Sequence, residues 1–287
     1  MRQIFDETIK ETLNQRLRKL EDYFNGDVIF HYGEIHPLLE KDFRDFIEEI
    51  KKDPEFDRNK LVVFLNTPGG SAETVEKMVS VIRFHYDEVY FVVPDYAMSA
   101  GTILCMSGDK IFMDYSSSLG PIDPQVYNGK NWVPALGYLD KVEELIKKSQ
   151  DDKLTEAEFM LLQKIDLAEL RSYEMARNLT IALLKEWLVK FKFKDWTIHS
   201  STSEPVTENE KTQRANFIAT ALSNNSLWHS HGRSIGIDTL KTFLKLKIED
   251  YSKNNELREL IRDYNDLICE HIIRLGGKAF VHSRVYF

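Results

Sequence analysis

The chain has 287 residues, of which 43% are hydrophobic and 29% charged, so it can bury a substantial core as an ordinary globular protein. Its formal net charge of -8 excludes a protein that binds nucleic acid mainly through phosphates, because such binding needs clustered Lys and Arg. The histidines and cysteines lack the spacing of metal ligands, and no Gly-x-Gly-x-x-Gly motif follows a predicted strand, so we expect no metal and no cofactor.

Apolar residues at helical spacing predict an opening helix that ends at Asn25-Gly26. Strands are predicted over 28–30, 61–65, 89–93 and 110–113, and helices over 43–50, 75–82 and 99–106. The runs 61–65 and 89–93 are fully apolar, which is typical of strands covered on both faces. A strand, a helix and a strand at this spacing predict a right-handed parallel crossover, and therefore an α/β protein with a mainly parallel sheet.

The second half of the chain is mainly helical by pattern. Helices are predicted over 141–148, 154–189, 212–222, 237–244 and 255–275, the second being unusually long. A polar stretch over 199–210 is the best linker candidate.

Cysteine use and hydropathy indicate the compartment. Cys105 and Cys269 lie far apart in apolar runs, which predicts reduced thiols and no disulfide framework. The sequence has no apolar signal core and no run of ~20 apolar residues, so we expect a cytoplasmic protein without a membrane segment.

The turn Asn66-Thr67-Pro68-Gly69-Gly70 follows the first buried strand. Proline fixes one dihedral angle and adjacent glycines permit positive φ, which leaves backbone N–H groups free to point into a cleft. Such groups can stabilise an oxyanion, so Gly69 and Gly70 are predicted oxyanion-hole residues. A Pro-Gly-Gly loop without a catalytic role is the alternative.

A second turn, Ala97-Met98-Ser99-Ala100-Gly101, follows the next buried strand. Open α/β sheets bind their ligands at the carboxyl ends of parallel strands, where both turns are expected to lie side by side. The turn puts the Ser99 hydroxyl at a helix N-terminus between small residues, like half of a Gly-x-Ser-x-Gly nucleophile elbow. We predict that Ser99 is a nucleophile and that the Ala100 N–H is an oxyanion donor, the alternative being that Ser99 only caps a helix.

The order and spacing of three segments resemble the serine dehydrogenase proteinase family, a Clp-fold group related to ClpP and to the SppA signal peptide peptidases. The segments are Leu65–Gly70, Pro94–Thr102 and Leu119–Gln125. The similarity is strong over 62–126 and returns at His231-Gly232-Arg233-Ser234-Ile235, where Ser234 replaces the proline of the family's His-x-x-Pro-Ile segment. Many family members carry an N-terminal membrane segment, and none is evident here.

The resemblance implies a ClpP/crotonase-like fold with a mainly parallel sheet, crossover helices and a C-terminal helical layer. We expect an N-terminal helix over 1–26 and a Clp-fold catalytic domain over 27–198. A C-terminal helical region over 199–287 is expected to complete or extend the same domain.

The resemblance also implies a serine peptidase, in which Ser99 needs a neighbouring base. ClpP uses a histidine about 25 residues after its serine, and this sequence has none at that spacing. SppA-like relatives use a lysine, and Lys141 falls close to the lysine of family members, so a Ser99–Lys141 dyad is predicted. A solvent-exposed Lys141 without a catalytic role is the competing interpretation. The alternative bases are Lys130, Lys147, His229 and His231.

A peptide or protein is the expected substrate, bound as an added strand near Gly70 and Ile122. The predicted groove residues are Pro68, Ser71, Ile122 and Asp123. The long predicted helix from Leu154 offers a surface for a homo-oligomer. No docking element for an unfoldase partner is evident.

Two other functions compete with peptide hydrolysis. A catalytically inactive scaffold that binds peptides or forms rings is compatible with the missing ClpP-type histidine. A crotonase-like acyl-CoA enzyme shares the fold and the paired oxyanion amides but uses no nucleophilic serine, so Ser99 disfavours it.

Overall fold

The structure is a computed structural model that describes residues 2–52, 58–123, 125–127, 132–199 and 202–287. Its strands are β1 (Asp27–Gly33), β2 (Lys60–Asn66), β3 (Glu88–Val92), β4 (Tyr96–Ala97), β5 (Lys110–Met113), β6 (Ser118–Leu119), β7 (Gln125–Tyr127), β8 (Trp132–Pro134), β9 (Ile235–Gly236), β10 (Glu249–Asp250) and β11 (Ala279–His282). Its α-helices are α1 (Arg2–Phe24), α2 (Glu40–Lys51), α3 (Ala72–His85), α4 (Ala100–Met106), α5 (Ala135–Gln150), α6 (Glu156–Leu162), α7 (Leu167–Trp187), α8 (Glu208–Leu222), α9 (Asn225–Trp228), α10 (Ile237–Thr242) and α11 (Asn255–Leu275).

Six strands form the main sheet, in the order β10, β5, β3, β2, β1, β11. Neighbouring strands are parallel except β11, which runs antiparallel to β1. The predicted α/β class with a mainly parallel sheet is therefore confirmed, and α3 is the helix that connects β2 to β3.

The central strand β2 contains the uninterrupted apolar run Leu61–Leu65. Leu61, Val63 and Leu65 face the core layer formed with α2, α3, α4 and α7. Val62 and Phe64 face the opposite layer. Because successive side chains of a strand point to opposite faces, a strand covered on both sides needs an uninterrupted apolar run.

The opposite layer consists of the first and last long helices. Leu13 and Leu17 of α1 pack with Ile261 and Tyr264 of α11 in one buried cluster. The opening helix therefore shares a core with the end of the chain, while the division at residues 26 and 198 stays a prediction.

A small second sheet lies beyond the carboxyl end of β3. Strand β4 pairs parallel with β6, and β6 pairs antiparallel with β9. The segments that follow residues 97 and 119, and the segment that precedes residue 235, are thus brought together.

The single long helix predicted over 154–189 is wrong, since the structure has α6 and α7 with a break between them. Asp166 caps α7 by accepting hydrogen bonds from the backbone N–H groups of Ala168 and Glu169. A short side chain that bonds to the backbone starts a new helix here, although the apolar spacing continues across the break.

Within the described ranges, no helix is long and apolar enough to cross a membrane. Cys105 and Cys269 are both unpaired thiols, as predicted. Burial raises the pKa of the Cys105 thiol, so it stays protonated in the core.

Candidate active site

The structure brings the two glycine- and serine-containing turns side by side. The Thr67 N–H donates to the Tyr96 carbonyl at 3.1 Å, and the Met98 N–H donates to the Thr67 carbonyl at 3.0 Å. These bonds form an isolated parallel bridge between Thr67 and Ala97. Backbone pairing therefore continues past the ends of β2 and β4 and fixes the distance between the turns.

Gly69 lies directly against the turn that contains Ser99. A Cβ atom at Gly69 would lie 2.9 Å from the Ser99 Cβ and 3.3 Å from the Ala100 N, and the φ of Gly69 is +111°. Both the contact and the backbone angle require glycine at this position.

Gly70 is constrained by a different neighbour. Ile35 donates its N–H to the Gly69 carbonyl at 2.8 Å, and its carbonyl accepts the Ser71 N–H at 2.9 Å. A Cβ at Gly70 would lie 2.0 Å from the Ile35 oxygen. Since Ile35 bonds to the residues on either side of Gly70, the N–H and C=O of Gly70 itself point away from Ile35.

The backbone donors near Ser99 differ in availability. The Gly69 N–H donates to the Thr67 hydroxyl at 3.1 Å. Among the described residues, the N–H groups of Gly70 and Ala100 have no acceptor. Ala100 is the first residue of α4, where the N–H has no partner within the helix. Gly70 and Ala100 are therefore the more available of the predicted oxyanion donors.

Ser99 has a left-handed backbone, with φ 50° and ψ -114°. This conformation is costly for a residue with a Cβ, and strained turns of this kind occur at nucleophile elbows. The side chain is half-buried and makes no capping hydrogen bond to α4. The interpretation of Ser99 as a simple helix cap therefore has no support from its geometry.

Thr102 ties the third motif segment to this turn. Its hydroxyl donates to the Ala97 carbonyl at 2.8 Å and accepts the Gly120 N–H at 2.9 Å. Gly120 in turn lies close to Met98. Sequence patterns did not identify Thr67 or Thr102 as residues that hold the turns in place. The only indication was that both lie inside the motif segments.

Lys141 lies on α5 and is directed into solvent. Its side chain is 56% exposed, and its Nζ donates to Glu144 Oε2 at 2.9 Å. Lys147 is exposed on the same helix, and Lys130 lies outside the described residues. The described structure thus shows no contact between Ser99 and either of these two helix lysines.

His231 and Asp123 form a close pair next to the small sheet. Leu119 of β6 pairs with Ile235 of β9; Asp123 lies four residues after Leu119, and His231 lies four residues before Ile235. His231 Nδ1 lies 2.5 Å from Asp123 Oδ1, and Asp123 is 1% exposed. The sequence analysis named Asp123 as a groove residue and His231 as an alternative base. Their pairing depends on an antiparallel register that no local sequence pattern reveals. His229 is exposed and has a positive φ of 62°.

The predicted groove residues have different surroundings. Pro68 is exposed, and Ser71 caps α3 by accepting the Thr74 N–H. Ile122 is buried and donates its N–H to the Leu222 carbonyl at 3.1 Å. Of the two predicted sites of peptide pairing, Gly70 has a backbone N–H without an acceptor among the described residues, whereas the Ile122 N–H is already bonded.

A perturbed lysine occurs elsewhere in the protein. Burial lowers the pKa of Lys192 to about 8, and its Nζ donates to the Asp109 carbonyl at 3.3 Å. Asp109 immediately precedes β5, at the opposite end of the sheet from Ser99. Lys192 is therefore not a candidate partner of the Ser99 hydroxyl.

The fold is similar to two solved structures at low identity. The membrane-bound stomatin-specific protease 1510-N is 16% identical, with 80% of each chain covered and a TM-score of 0.46. ClpP1 from Listeria monocytogenes is 13% identical, with 85% of this chain and 98% of that chain covered and a TM-score of 0.44.

Two uncharacterized proteins of Methanocaldococcus jannaschii are similar in sequence. One is 29% identical over 146 residues, which are 51% of this chain and 46% of that protein. The other is 29% identical over 114 residues, which are 40% of this chain and 37% of that protein. The aligned part thus spans less than half the length of either relative.

The family model of the ClpP-like SDH-type serine proteinases matches residues 26–204. This range covers more than half of the chain and contains both motif turns. The family predicted from the three sequence segments is confirmed, and the chain belongs to the ClpP-like SDH-type serine proteinases.

Proposed function

We propose that this protein is a serine peptidase that cleaves peptide bonds through an acyl-enzyme on Ser99. One observation carries the proposal: a strained, accessible serine lies against a glycine turn, and the N–H groups of Gly70 and Ala100 have no acceptor among the described residues. Strained serines in this arrangement are found where a hydroxyl must meet a substrate carbonyl.

The reaction follows the chemistry of acyl transfer. Ser99 Oγ attacks the peptide carbonyl while a base takes its proton, and the N–H groups of Gly70 and Ala100 stabilise the oxyanion. Gly69 is a further donor once its N–H leaves the Thr67 hydroxyl. The base returns the proton to the leaving amine, and water then hydrolyses the Ser99 ester.

Lys141 is the proposed base, on the resemblance of its position to the lysine of family members. Its ion pair with Glu144 opposes this role, so the dyad requires that Lys141 leave Glu144 when substrate or another subunit binds. His231 is the second candidate, because a carboxylate that bonds one ring nitrogen orients the other toward a proton donor.

The substrate is proposed to bind as an extended strand along Gly70. Ile35 occupies one side of the Gly69–Ser71 segment, which leaves the C=O of Gly70 for a peptide N–H on the other side, while the Gly70 N–H is the proposed donor to the scissile carbonyl. Main-chain pairing of this kind selects an extended peptide and not a particular side chain. Pro68 and Ser71 flank this edge.

A fluorophosphonate probe tests the nucleophile. We expect it to label the wild-type protein at Ser99, and Ser99→Ala to lose labelling and to lower peptide turnover about a thousandfold or more. Ser80→Ala, which changes an exposed serine of α3, should keep both. Peptide binding without labelling or turnover would contradict the proposal and favour the inactive scaffold.

Parallel substitutions test the base. Lys141→Ala should abolish turnover in the folded protein while His231→Gln retains it, and the reverse result assigns the role to His231. Lys153→Ala, in the exposed loop after α5, is the matched lysine control. Full activity in both Lys141→Ala and His231→Gln would contradict both assignments.

A homo-oligomer is proposed from the exposed apolar surface of α6. Phe159, Met160 and Leu161 are 52%, 58% and 57% exposed, and apolar residues clustered on one surface often mark a subunit contact. Phe159→Glu should lower the mass measured by sedimentation velocity, whereas Ile273→Glu on α11 should not. A wild-type monomer at micromolar concentration would contradict this.

A further inference from the structure

A side-chain hydrogen bond links the two turns of the candidate active site. Asn66 directly precedes Thr67, and Asp95 directly precedes Tyr96. The Asn66 Nδ2 donates to Asp95 Oδ2 at 3.1 Å. The turn that contains Gly70 and the segment that leads to Ser99 are therefore joined by side chains next to the backbone bond between Thr67 and Tyr96.

Asn265 of α11 completes this network. Its Nδ2 donates to Asp95 Oδ2 at 2.9 Å, and its Oδ1 accepts a second hydrogen bond from Asn66 Nδ2 at 2.8 Å. The Cys269 thiol also donates to this oxygen, with 3.6 Å between sulfur and oxygen. One side chain of the last long helix is thus bonded to the residues that precede both turns.

Asn265 is a polar residue on a face of α11 that is mainly apolar. It is 3% exposed, and Ile261, Tyr264 and Ile268 of the same face pack against the sheet. Burying an amide costs free energy that its hydrogen bonds must offset, and an apolar side chain would avoid this cost. Packing of α11 alone therefore does not account for an amide here, whereas its donor and its acceptor match Asp95 and Asn66.

The separation of the two turns matters for acyl transfer. The N–H groups of Gly70 and Ala100 belong to different turns, and both must meet one oxyanion. A misplacement of about 1 Å at an active site can lower a rate about a hundredfold. The two backbone bonds between the turns both involve Thr67, so they join the turns at one place, and the network of Asn265 adds a second.

We propose that Asn265 is a positioning residue that holds the turn with Gly70 and the turn with Ser99 at the separation that catalysis needs. The effect on turnover rests on the proposed function, whereas the structural link does not. The proposal gives a role in the active site to α11, which lies outside the residues 26–204 that the family model matches.

Asn265→Leu tests this role in the full-length protein. It keeps a branched side chain of the same number of non-hydrogen atoms and removes both hydrogen bonds. We expect kcat for a peptide substrate to fall about tenfold and KM to stay within about a factor of two, because the loss acts on the oxyanion donors and not on substrate pairing. Labelling of Ser99 by a fluorophosphonate should slow by a similar factor.

Ile268→Val is the matched control on the same face of α11. It removes one buried methyl group and lowers stability slightly without changing the hydrogen-bond network, so kcat should stay at the wild-type value. An equal loss of kcat in both variants would overturn the proposal, because packing of the helix would then explain the effect. A folded Asn265→Leu with the wild-type kcat would overturn it as well.

Amide hydrogen exchange measures the link without relying on turnover. The N–H groups of Thr67 and Met98 bond between the turns, and their exchange should be at least about tenfold faster in Asn265→Leu than in the wild type and Ile268→Val. Asn265→Ser, whose side chain is too short to reach both partners, replaces the leucine variant if that variant does not fold. A wild type without turnover would contradict the proposed function alone: faster exchange in the variant would still support the link, and unchanged exchange would overturn it.

Discussion

Ser99 and Lys141 have opposite surroundings, although a dyad would require them to act together. Ser99 is held by backbone hydrogen bonds between buried strands, which join Thr67 to Tyr96 and Met98. Lys141 lies on the exposed face of α5, where its Nζ forms an ion pair with Glu144. The proposed nucleophile is thus positioned by backbone pairing, whereas the proposed base is a solvent-exposed side chain whose ion pair is readily broken.

The largest effect on stability is expected for Gly70→Ala, in the turn that lies against Ser99. The new Cβ would meet the Ile35 carbonyl at 2.0 Å in a backbone with φ +149°, so we expect a loss of about 3 kcal/mol in the free energy of unfolding. Urea denaturation measures this. Gly236→Ala, where a Cβ meets nothing within 4 Å, should change stability by less than about 0.5 kcal/mol. A cost at Gly70 below 1 kcal/mol would show that the turn is not rigid.

Asp123→Ala should have the next largest effect. It removes the buried partner of His231 and is expected to cost about 2 kcal/mol of unfolding free energy. Asp123→Asn keeps a hydrogen-bond acceptor and should cost less than half as much. Turnover of Asp123→Asn separates the two bases: it should stay near the wild-type value with Lys141 and fall about ten-thousandfold with His231.

Ser99→Gly tests the backbone strain at the proposed nucleophile. Glycine adopts the positive φ of this position without steric cost, so this variant should be about 1 kcal/mol more stable than Ser99→Ala. Both variants lack the hydroxyl, which makes Ser99→Ala the matched control in thermal or urea unfolding. Equal stability of the two would mean that the turn stores no strain.

Lys141→Ala should have the smallest effect on stability. An exposed ion pair contributes little, so the change in unfolding free energy should stay within about 0.5 kcal/mol. A loss above 1 kcal/mol would show that α5 depends on Lys141 for its fold. Together with a loss of turnover, the small change would identify a residue that matters for chemistry and not for folding.

The parts of the fold that local sequence encodes could be predicted. The apolar run Leu61–Leu65 required a strand covered on both faces, and the turns around Gly69 and Ser99 followed from residues that permit unusual backbone angles. The two-residue strands β9 and β10 were missed, because two residues have no detectable period. The break between α6 and α7 was missed because Asp166 acts through one side-chain cap.

The same distinction applies to the candidate site. The neighbouring turns follow from the rule for carboxyl ends of parallel strands, so Gly69, Gly70, Ser99 and Ala100 could be named from the sequence. The pairing of His231 with Asp123 joins distant segments through an antiparallel register, and sequence spacing cannot reveal it.

Strand β9 has a consequence for how the protein is made. Ile235 pairs with Leu119 of β6, and β6 pairs with β4 just before Ser99. Pairing between residues so far apart in the chain slows folding, because the long loop between them must first close. A ribosome makes Ser99 long before β9, and the turn that contains Ser99 lacks the support of this strand until β9 has been synthesised.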